Sequence, residues 1–92
     1  METEEIHAKV HGKVQFVMFR DFIQRKARTM GIKGTVANLQ DGSVEVVAQG
    51  TAEKLEKLIE HLHKGPFLAR AFRVDVIWRK PQEKFGGFTI LY

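Results

Sequence analysis

Arg20 is the side chain whose type and place point most directly to chemistry. It ends the stretch VHGKVQFVMFR, residues 10–20, where an apolar strand passes through a glycine and a helical pattern begins. The first N–H groups of a helix have no intrahelical partners and lie at the positive end of its dipole, so anions bind there. A guanidinium adds a planar fork for phosphate or carboxylate oxygens. A cation in the first turn opposes the dipole, which favours an anionic partner, although an ordinary surface arginine also fits this pattern.

The histidines are spaced in ways that do not suit a metal ion. His7 and His11 share one face of a strand but are four residues apart, about 13 Å on strand geometry. His61 and His63 are two apart on a helix, where side chains do not face each other. The chain also has no cysteine, which removes thiolate ligands and disulfides. We therefore predict surface histidines, no metal and no cofactor.

Nucleophilic and acid–base catalysis find equally little support. Ser43 is the only serine, and its place directly after Asp41-Gly42 is explained by turn chemistry. Glu45 and Asp75 fall on outward-facing strand positions, where nothing nearby suggests a raised pKa. The acidic residues are predicted to be solvated surface.

Composition describes an ordinary globular chain. Its 92 residues are 43% hydrophobic and 28% charged, which predicts one domain over residues 1–92. No apolar run reaches the roughly 18 residues of a membrane span, and the acidic N-terminal segment lacks the features of a signal peptide. We expect a cytoplasmic protein that does not bind membranes. The net charge of +4 favours anionic partners, either phosphate-bearing small molecules or nucleic acid.

Hydrophobic periodicity predicts the elements that must position Arg20. Period-two alternation indicates strands and a 3.6-residue stripe indicates helices. The helical stripe of the first helix is Phe19, Phe22, Ile23, Ala27 and Met30, ending at Gly31. The predicted elements are strands near residues 6–12, 34–39, 44–50, 72–78 and 88–92, and helices over 21–30 and from Thr51 to Gly65-Pro66.

This order is β-α-β-β-α-β, with the last strand region open to a split. It predicts an α+β, ferredoxin-like βαββαβ sandwich with an antiparallel sheet and both helices on one face. RNA-recognition modules share this topology but display aromatic residues on the open sheet face. Here Phe72, Trp78 and Phe88 share the parity of core-facing aliphatics, so we expect them to be packed. No nucleic-acid partner is expected, and RNA binding is kept only as a distant alternative.

Two stretches match a known family. Residues 12–20, GKVQFVMFR, resemble the acylphosphatase signature G-x-V-Q-G-V-x-F-R. Residues 31–39, GIKGTVANL, followed by the Asp41-Gly42 hairpin, resemble that family's G-x-x-G-W-V-x-N segment. The chain length, the ferredoxin-like order and Tyr92 agree, so the resemblance covers nearly the whole chain.

The resemblance implies hydrolysis of a small-molecule acyl phosphate to a carboxylate and inorganic phosphate, without metal or covalent intermediate. Arg20 is implied to bind the phosphate, and Asn38 to orient the attacking water. Inorganic phosphate or sulfate is an expected ligand, and a monomer is expected. The implied phosphate-binding loop consists of Gln15, Phe16, Val17, Met18, Phe19 and Arg20, acting through their backbone N–H groups.

Two positions depart from the family pattern. Phe16 stands where the family usually has glycine, and Thr35 replaces a usual aromatic residue. Glycine permits positive φ or close approach of the backbone to an anion, whereas phenylalanine costs about 1 kcal/mol or more in a left-handed conformation. Two functions therefore stay open: an acylphosphatase, or an acylphosphatase-like domain that binds phosphate or another anion with weak or no turnover.

Overall fold

The structure, a computed structural model, describes residues 2–15, 18–67 and 69–92. Within them the element order is β-α-β-β-α-β-β, which confirms the predicted order and its split at the end. None of the helices in these ranges is long and apolar enough to cross a bilayer. The elements are β1 (Glu4–Lys13), α1 (Phe19–Thr29), β2 (Lys33–Asn38), β3 (Val44–Gly50), α2 (Ala52–Lys64), β4 (Arg70–Arg79) and β5 (Phe88–Leu91).

The five strands form one sheet in the order β4-β1-β3-β2-β5. The prediction of a ferredoxin-like fold is confirmed, but the sheet is mixed and not antiparallel throughout, because β5 pairs parallel to β2. The reason is where β4 ends. Arg79 pairs with Glu5 at the start of β1, so β4 finishes at the end of the sheet where β2 also begins. Residues 80–87 connect β4 to the other edge strand, and β5 starts at this same end beside Gly34, whose N–H donates to Gly87 O at 2.9 Å.

The core lies between the two helices and the sheet, as the periodicity predicts. Phe19, Ile23 and Ala27 of α1 are buried, while Phe22 and Met30 are partly buried against them. From α2 the core receives Leu55, Leu58 and Leu62, and from β1 it receives Ile6, Ala8 and Val10. The apolar face of the sheet and the apolar stripes of the two helices therefore pack against each other, which is what a two-layer α+β domain requires.

The predicted start of the second helix and the predicted hairpin are confirmed by the hydrogen bonds that form them. The Thr51 hydroxyl accepts a hydrogen bond from the Lys54 N–H at 3.3 Å and caps α2. Between β2 and β3, the Leu39 N–H donates to Ser43 O at 2.9 Å and closes the turn around Gly42. Each signal is local in sequence, so it could be identified without knowing the rest of the fold.

A β-bulge overturns the expectation that Phe72 is packed. His11 pairs with Arg73 and Gly12 with Ala71, so Phe72 has no partner in β1. A Cβ at Gly12 would lie 2.1 Å from Arg70 O, which explains why a glycine stands at this close approach. The bulge moves the inward position from Phe72 to Ala71, and Phe72 is 80% exposed.

Phe88 and Trp78 were also expected to be packed, and they differ in burial. Phe88 is buried, as expected. Trp78 lies on the edge strand β4, which has a neighbouring strand on one side only, and it is 43% exposed. The expectation for Trp78 is therefore wrong in degree, since an edge position leaves part of a large ring in solvent.

Glu5 fastens the 80–87 segment to the sheet. Its carboxylate is buried and accepts hydrogen bonds from Gln49 Nε2 at 2.7 Å and from the Arg79 guanidinium, which forms an ion pair with it. The Gln49 amide also donates to Glu83 O. Burial alone would raise the pKa of Glu5, but the hydrogen bonds from Gln49 and Arg79 outweigh burial and lower that pKa below its ordinary 4.5.

Glu5→Gln is expected to lower the free energy of unfolding at pH 7 by about 1–3 kcal/mol, the range for hydrogen bonds to charged groups. Since the folded-state pKa is depressed, this contribution is complete above the ordinary carboxyl pKa and is lost as pH falls through the folded-state value. Urea unfolding at pH 7 and pH 3 measures both, and the difference from wild type should shrink at pH 3. Glu2→Gln, which removes an exposed ion pair with Lys80, is the control and should change little. An equal loss at both pH values would contradict the assignment.

Candidate active site

The start of α1 is set by a residue in a left-handed conformation. Met18 has φ 59° and ψ 28°, and no side chain in the described part of the chain caps the helix. The first intrahelical bond runs from the Phe22 N–H to Met18 O at 3.0 Å. The N–H groups of Phe19, Arg20 and Asp21 therefore have no intrahelical acceptor. Three donors at the positive end of a helix are available to an anion.

Phe19 fixes where this helix begins. Its side chain is 1% exposed and lies in the core. A Cβ at Gly65 would approach Phe19 Cε2 to 2.9 Å, so the glycine after α2 leaves the space that the ring occupies. The Phe19 ring thus anchors the first turn in the core, and its backbone N–H is one of the three at the start of the helix.

Arg20 is held from the other side by β5 and the residue after it. Its Nη1 donates to Leu91 O at 3.3 Å, and its guanidinium carbon lies 4.9 Å from the centroid of the Tyr92 ring. A guanidinium has five N–H donors in a fixed plane. One hydrogen bond and one stacking contact restrict its orientation while leaving donors for a ligand.

Asn38 brings an unsatisfied oxygen to the same place. It is the last residue of β2 and pairs with Val44. Its Oδ1 is buried and has no hydrogen-bond partner among the described residues. A buried polar atom without a partner costs about 1–3 kcal/mol. An amide oxygen is an acceptor, so the group that satisfies it must be a donor such as a water O–H.

A pocket of about 280 Å³ joins these groups. Its volume lies just below the roughly 300–1,000 Å³ of pockets for drug-sized ligands, so it suits a small molecule. Arg20 and Asn38 both line it, and apolar residues of β5 and of the segment after β1 complete its wall. The lining residues are Val14, Met18, Phe19, Arg20, Asp21, Asn38, Ile90 and Tyr92.

The β2–β3 hairpin that carries Asn38 is tied to β1 at its tip. The Asp41 carboxylate accepts from the Ser43 N–H at 2.9 Å and forms an ion pair with Lys9 Nζ at 2.8 Å. Hydrogen bonds from Lys9 and from Ser43 hold the pKa of Asp41 well below its usual range. The prediction that turn chemistry explains Ser43 is confirmed, since its hydroxyl also donates to Asp41.

Comparisons with known proteins bear on what such a pocket does. The family model described as acylphosphatase matches residues 6–90. The chain belongs to the acylphosphatase family. It is 44% identical over 91 residues to the acylphosphatase of Thermococcus kodakarensis, with 99% of each chain covered. It is 43% identical to that of Salinibacter ruber, with 98% of each chain covered.

Solved structures of acylphosphatases have the same fold. The crystal structure of the Bacillus subtilis acylphosphatase matches with a TM-score of 0.93 and 30% identity, over 97% of this chain and 99% of that one. The Coxiella burnetii acylphosphatase matches with a TM-score of 0.90 and 35% identity, over 97% and 93%. The prediction of a hydrolase of the acylphosphatase family is therefore confirmed.

The structure brings together most of the site residues that the acylphosphatase motifs implied. Met18, Phe19, Arg20 and Asn38 line one pocket. Gln15 is not among the lining residues, because its side chain is turned toward the β2–β3 hairpin. Phe16 and Val17 lie outside the described residues, so the expectations for them stay predictions.

Four lining residues were not among the predicted site residues: Val14, Asp21, Ile90 and Tyr92. The alternation of Phe88, Ile90 and Tyr92 identifies the last strand, but not its direction or its neighbour. Only the parallel pairing of β5 with β2 places Ile90 and Tyr92 beside Arg20. Asp21 lies in the first turn of α1, and its Oδ2 accepts a hydrogen bond from Arg25 Nε at 2.9 Å.

The histidines of β1 lie away from this pocket and pair with carboxylates. His7 Nε2 is 2.8 Å from Glu45 Oε2, and His11 Nε2 is 3.1 Å from Asp75 Oδ2. In the described ranges, no three His, Asp or Glu side chains are grouped as a metal site requires. The polar residues of this sheet face are thus engaged with one another.

Met18→Val is expected to lower the free energy of unfolding by about 1–2 kcal/mol, since a β-branched residue is poorly suited to the left-handed conformation. Met18→Gly should preserve or raise it, because Met18 is 70% exposed and glycine adopts positive φ without strain. Urea unfolding at neutral pH makes the comparison. Equal destabilisation by the two substitutions would show that the Met18 side chain, rather than the backbone conformation, matters for stability.

Proposed function

We propose that this chain hydrolyses acyl phosphates at the pocket between the start of α1 and the end of β2. The observation that carries the proposal is the buried Asn38 Oδ1, which has no partner among the described residues and lies in the same pocket as Arg20. The first turn of α1, which no described side chain caps, lies beside them. One wall offers donors to an anion, and the other offers an acceptor to a water molecule. Phosphoryl transfer to water needs both.

The phosphate is bound by Arg20 together with backbone N–H groups at the start of α1. Charge-assisted hydrogen bonds from a guanidinium to phosphate are short and strong. The α1 dipole adds to this attraction without any movement of the chain. Since Leu91 O and the Tyr92 ring already restrict the guanidinium, binding requires little further ordering of Arg20.

The attacking water is bound by Asn38. Its Oδ1 accepts one water O–H, which leaves an oxygen lone pair free to approach phosphorus. Positioning of this kind accounts for much of the catalysis of phosphoryl transfer, where the protein does little covalent chemistry. The water is thereby oriented and does not need to be deprotonated before attack.

The reaction then balances without a titrating side chain. The water oxygen forms a bond to phosphorus as the bond from phosphorus to the acyl oxygen breaks, and the electron pair leaves on the carboxylate. Because model carboxyl groups have pKa values near 4, this leaving group departs without a general acid. The water proton passes to a phosphate oxygen, and the products are a carboxylate and inorganic phosphate.

The alternative of anion binding with weak turnover follows from Phe16 in place of the usual loop glycine. It retains the Arg20 site but predicts slow hydrolysis by the unmodified protein. A steady-state assay with an aromatic acyl phosphate and no added metal distinguishes the two functions.

A cytoplasmic location and a monomeric state stay predictions from the sequence.

Arg20→Gln is expected to lower kcat/KM at least about 100-fold, the order seen when one preorganised transition-state donor is removed. It should also abolish competitive inhibition by inorganic phosphate, because the main cation of the site is lost. Arg73→Gln is the control, since Arg73 is exposed and forms an ion pair with Asp75 on β4. Retained phosphate inhibition in Arg20→Gln would exclude Arg20 as the phosphate ligand.

Asn38→Ala is expected to lower kcat about 100-fold or more while inhibition by inorganic phosphate persists, because water orientation is lost and the anion site remains. The free energy of unfolding should change by less than about 1 kcal/mol or rise, since the substitution removes an unsatisfied buried oxygen. Steady-state kinetics and urea unfolding give the two results. Normal kcat in a folded Asn38→Ala protein would refute the role of Asn38.

A further inference from the structure

Gln15 joins the end of β1 to the hairpin that carries Asn38. Its Nε2 donates to Leu39 O at 2.9 Å and to Ser43 O at 2.8 Å. A side-chain amide nitrogen has two N–H groups, and both are used here. The remaining atom, Oε1, is an acceptor that an anion avoids. The Gln15 side chain is therefore not a phosphate ligand, whatever its backbone N–H contributes.

The hairpin is closed without Gln15. Ser43 O also accepts from the Leu39 N–H at 2.9 Å, and Leu39 O accepts from the Gly42 N–H at 3.2 Å. Each carbonyl thus keeps a backbone donor if the glutamine is removed. The two hydrogen bonds from the Gln15 amide therefore serve mainly to hold the hairpin in position beside Gln15, and its polar groups would be satisfied without them.

The part of the hairpin that Gln15 holds in position is the part next to Asn38. Leu39 follows Asn38 in the chain, and Ser43 precedes Val44, the partner of Asn38 in β3. The two carbonyls that Gln15 contacts therefore flank the Asn38–Val44 pair. We propose that Gln15 is a positioning residue: its amide fixes the distance between Asn38 and the anion-binding start of α1, so that a water on Oδ1 lies in line with the bound phosphate.

This inference rests on the proposed function, because it assigns Gln15 a role only through Asn38. Arg20 and the first turn of α1 are positioned by other contacts, namely Leu91 O, Tyr92 and the burial of Phe19. Loss of the Gln15 amide should consequently affect the chemical step and leave phosphate binding almost intact.

The test begins with Gln15→Met, which keeps side-chain length and removes both donors. We expect kcat for an aromatic acyl phosphate to fall roughly 10- to 100-fold, the effect of a misplacement of about 1 Å. The inhibition constant of inorganic phosphate should change less than about threefold. Gln24→Met is the matched control, since the Gln24 amide donates to Phe88 O at 3.0 Å, and its kcat should stay within about threefold of wild type. A large rise in the phosphate inhibition constant of Gln15→Met would overturn the proposal.

A double-mutant cycle with Asn38→Ala decides whether Gln15 acts through Asn38. Once Asn38 is removed, Gln15→Met should cause little further loss of kcat, so the two effects are strongly non-additive. Full additivity would overturn the proposal even if Gln15→Met is slow. If Asn38→Ala itself keeps normal kcat, the proposed function fails first, which distinguishes the two failures.

A folding defect is tested separately. Circular dichroism and urea unfolding should show Gln15→Met folded at the assay temperature. If it is not, Gln15→Asn replaces it in the same cycle, because its amide is one methylene shorter and cannot reach both carbonyls. A folded Gln15 variant with normal kcat would overturn the proposal.

Discussion

The burial of Phe19 is the constraint on which the rest of the site depends. Full burial of a phenylalanine side chain stabilises a protein by about 1.5–3 kcal/mol, and the Phe19 ring is 1% exposed beside Gly65. This contact fixes the rotation and start of α1. The next residue, Arg20, is therefore directed to the pocket. Met18, which precedes Phe19, has a left-handed conformation, and no side chain in the described residues caps the first turn. A packing interaction in the core thus determines where an anion can bind.

The parallel strand β5 supplies the second half of this arrangement. A four-stranded ferredoxin-like sheet would end at β2 and leave Arg20 without a support on that side. Here β5 runs parallel to β2 and brings Leu91 O and Tyr92 to the guanidinium. The strand can start beside Gly34 because Glu5, at that same end of the sheet, holds the returning segment through Gln49 and Glu83 O. A buried ion pair distant from the pocket is therefore part of what positions Arg20.

Local signals were enough to predict the helices and the hairpin. The Thr51 cap, the Asp41-Gly42 turn and the stripe of α1 each depend on residues close in the chain. Arg20 and Asn38 were identified through a family signature, and their roles remain proposals. Three features could not be predicted, because each depends on the register between segments far apart in sequence: the direction of β5, the bulge at Phe72 and the contacts of Tyr92.

Gln15 illustrates the difference between local and long-range information. The motif marks it as part of the loop, but only the structure shows that its amide reaches a hairpin 24 and 28 residues away.

The proposed anion site does not depend on the overall positive charge of this chain. Several cations of the sheet are paired, including Lys9 with Asp41, Arg73 with Asp75 and Arg79 with Glu5. The pocket instead combines one guanidinium with N–H groups that carry no net charge and require no counter-ion. Opposite them, Asn38 Oδ1 has no partner among the described residues, at a cost in stability. A partner inside the protein would remove that cost and would also occupy the lone pairs that bind water in the proposed mechanism. Since neither an amide nor a guanidinium changes protonation near neutral pH, the proposed chemistry depends on where these groups are held, and the residues that hold them become as important as the groups themselves.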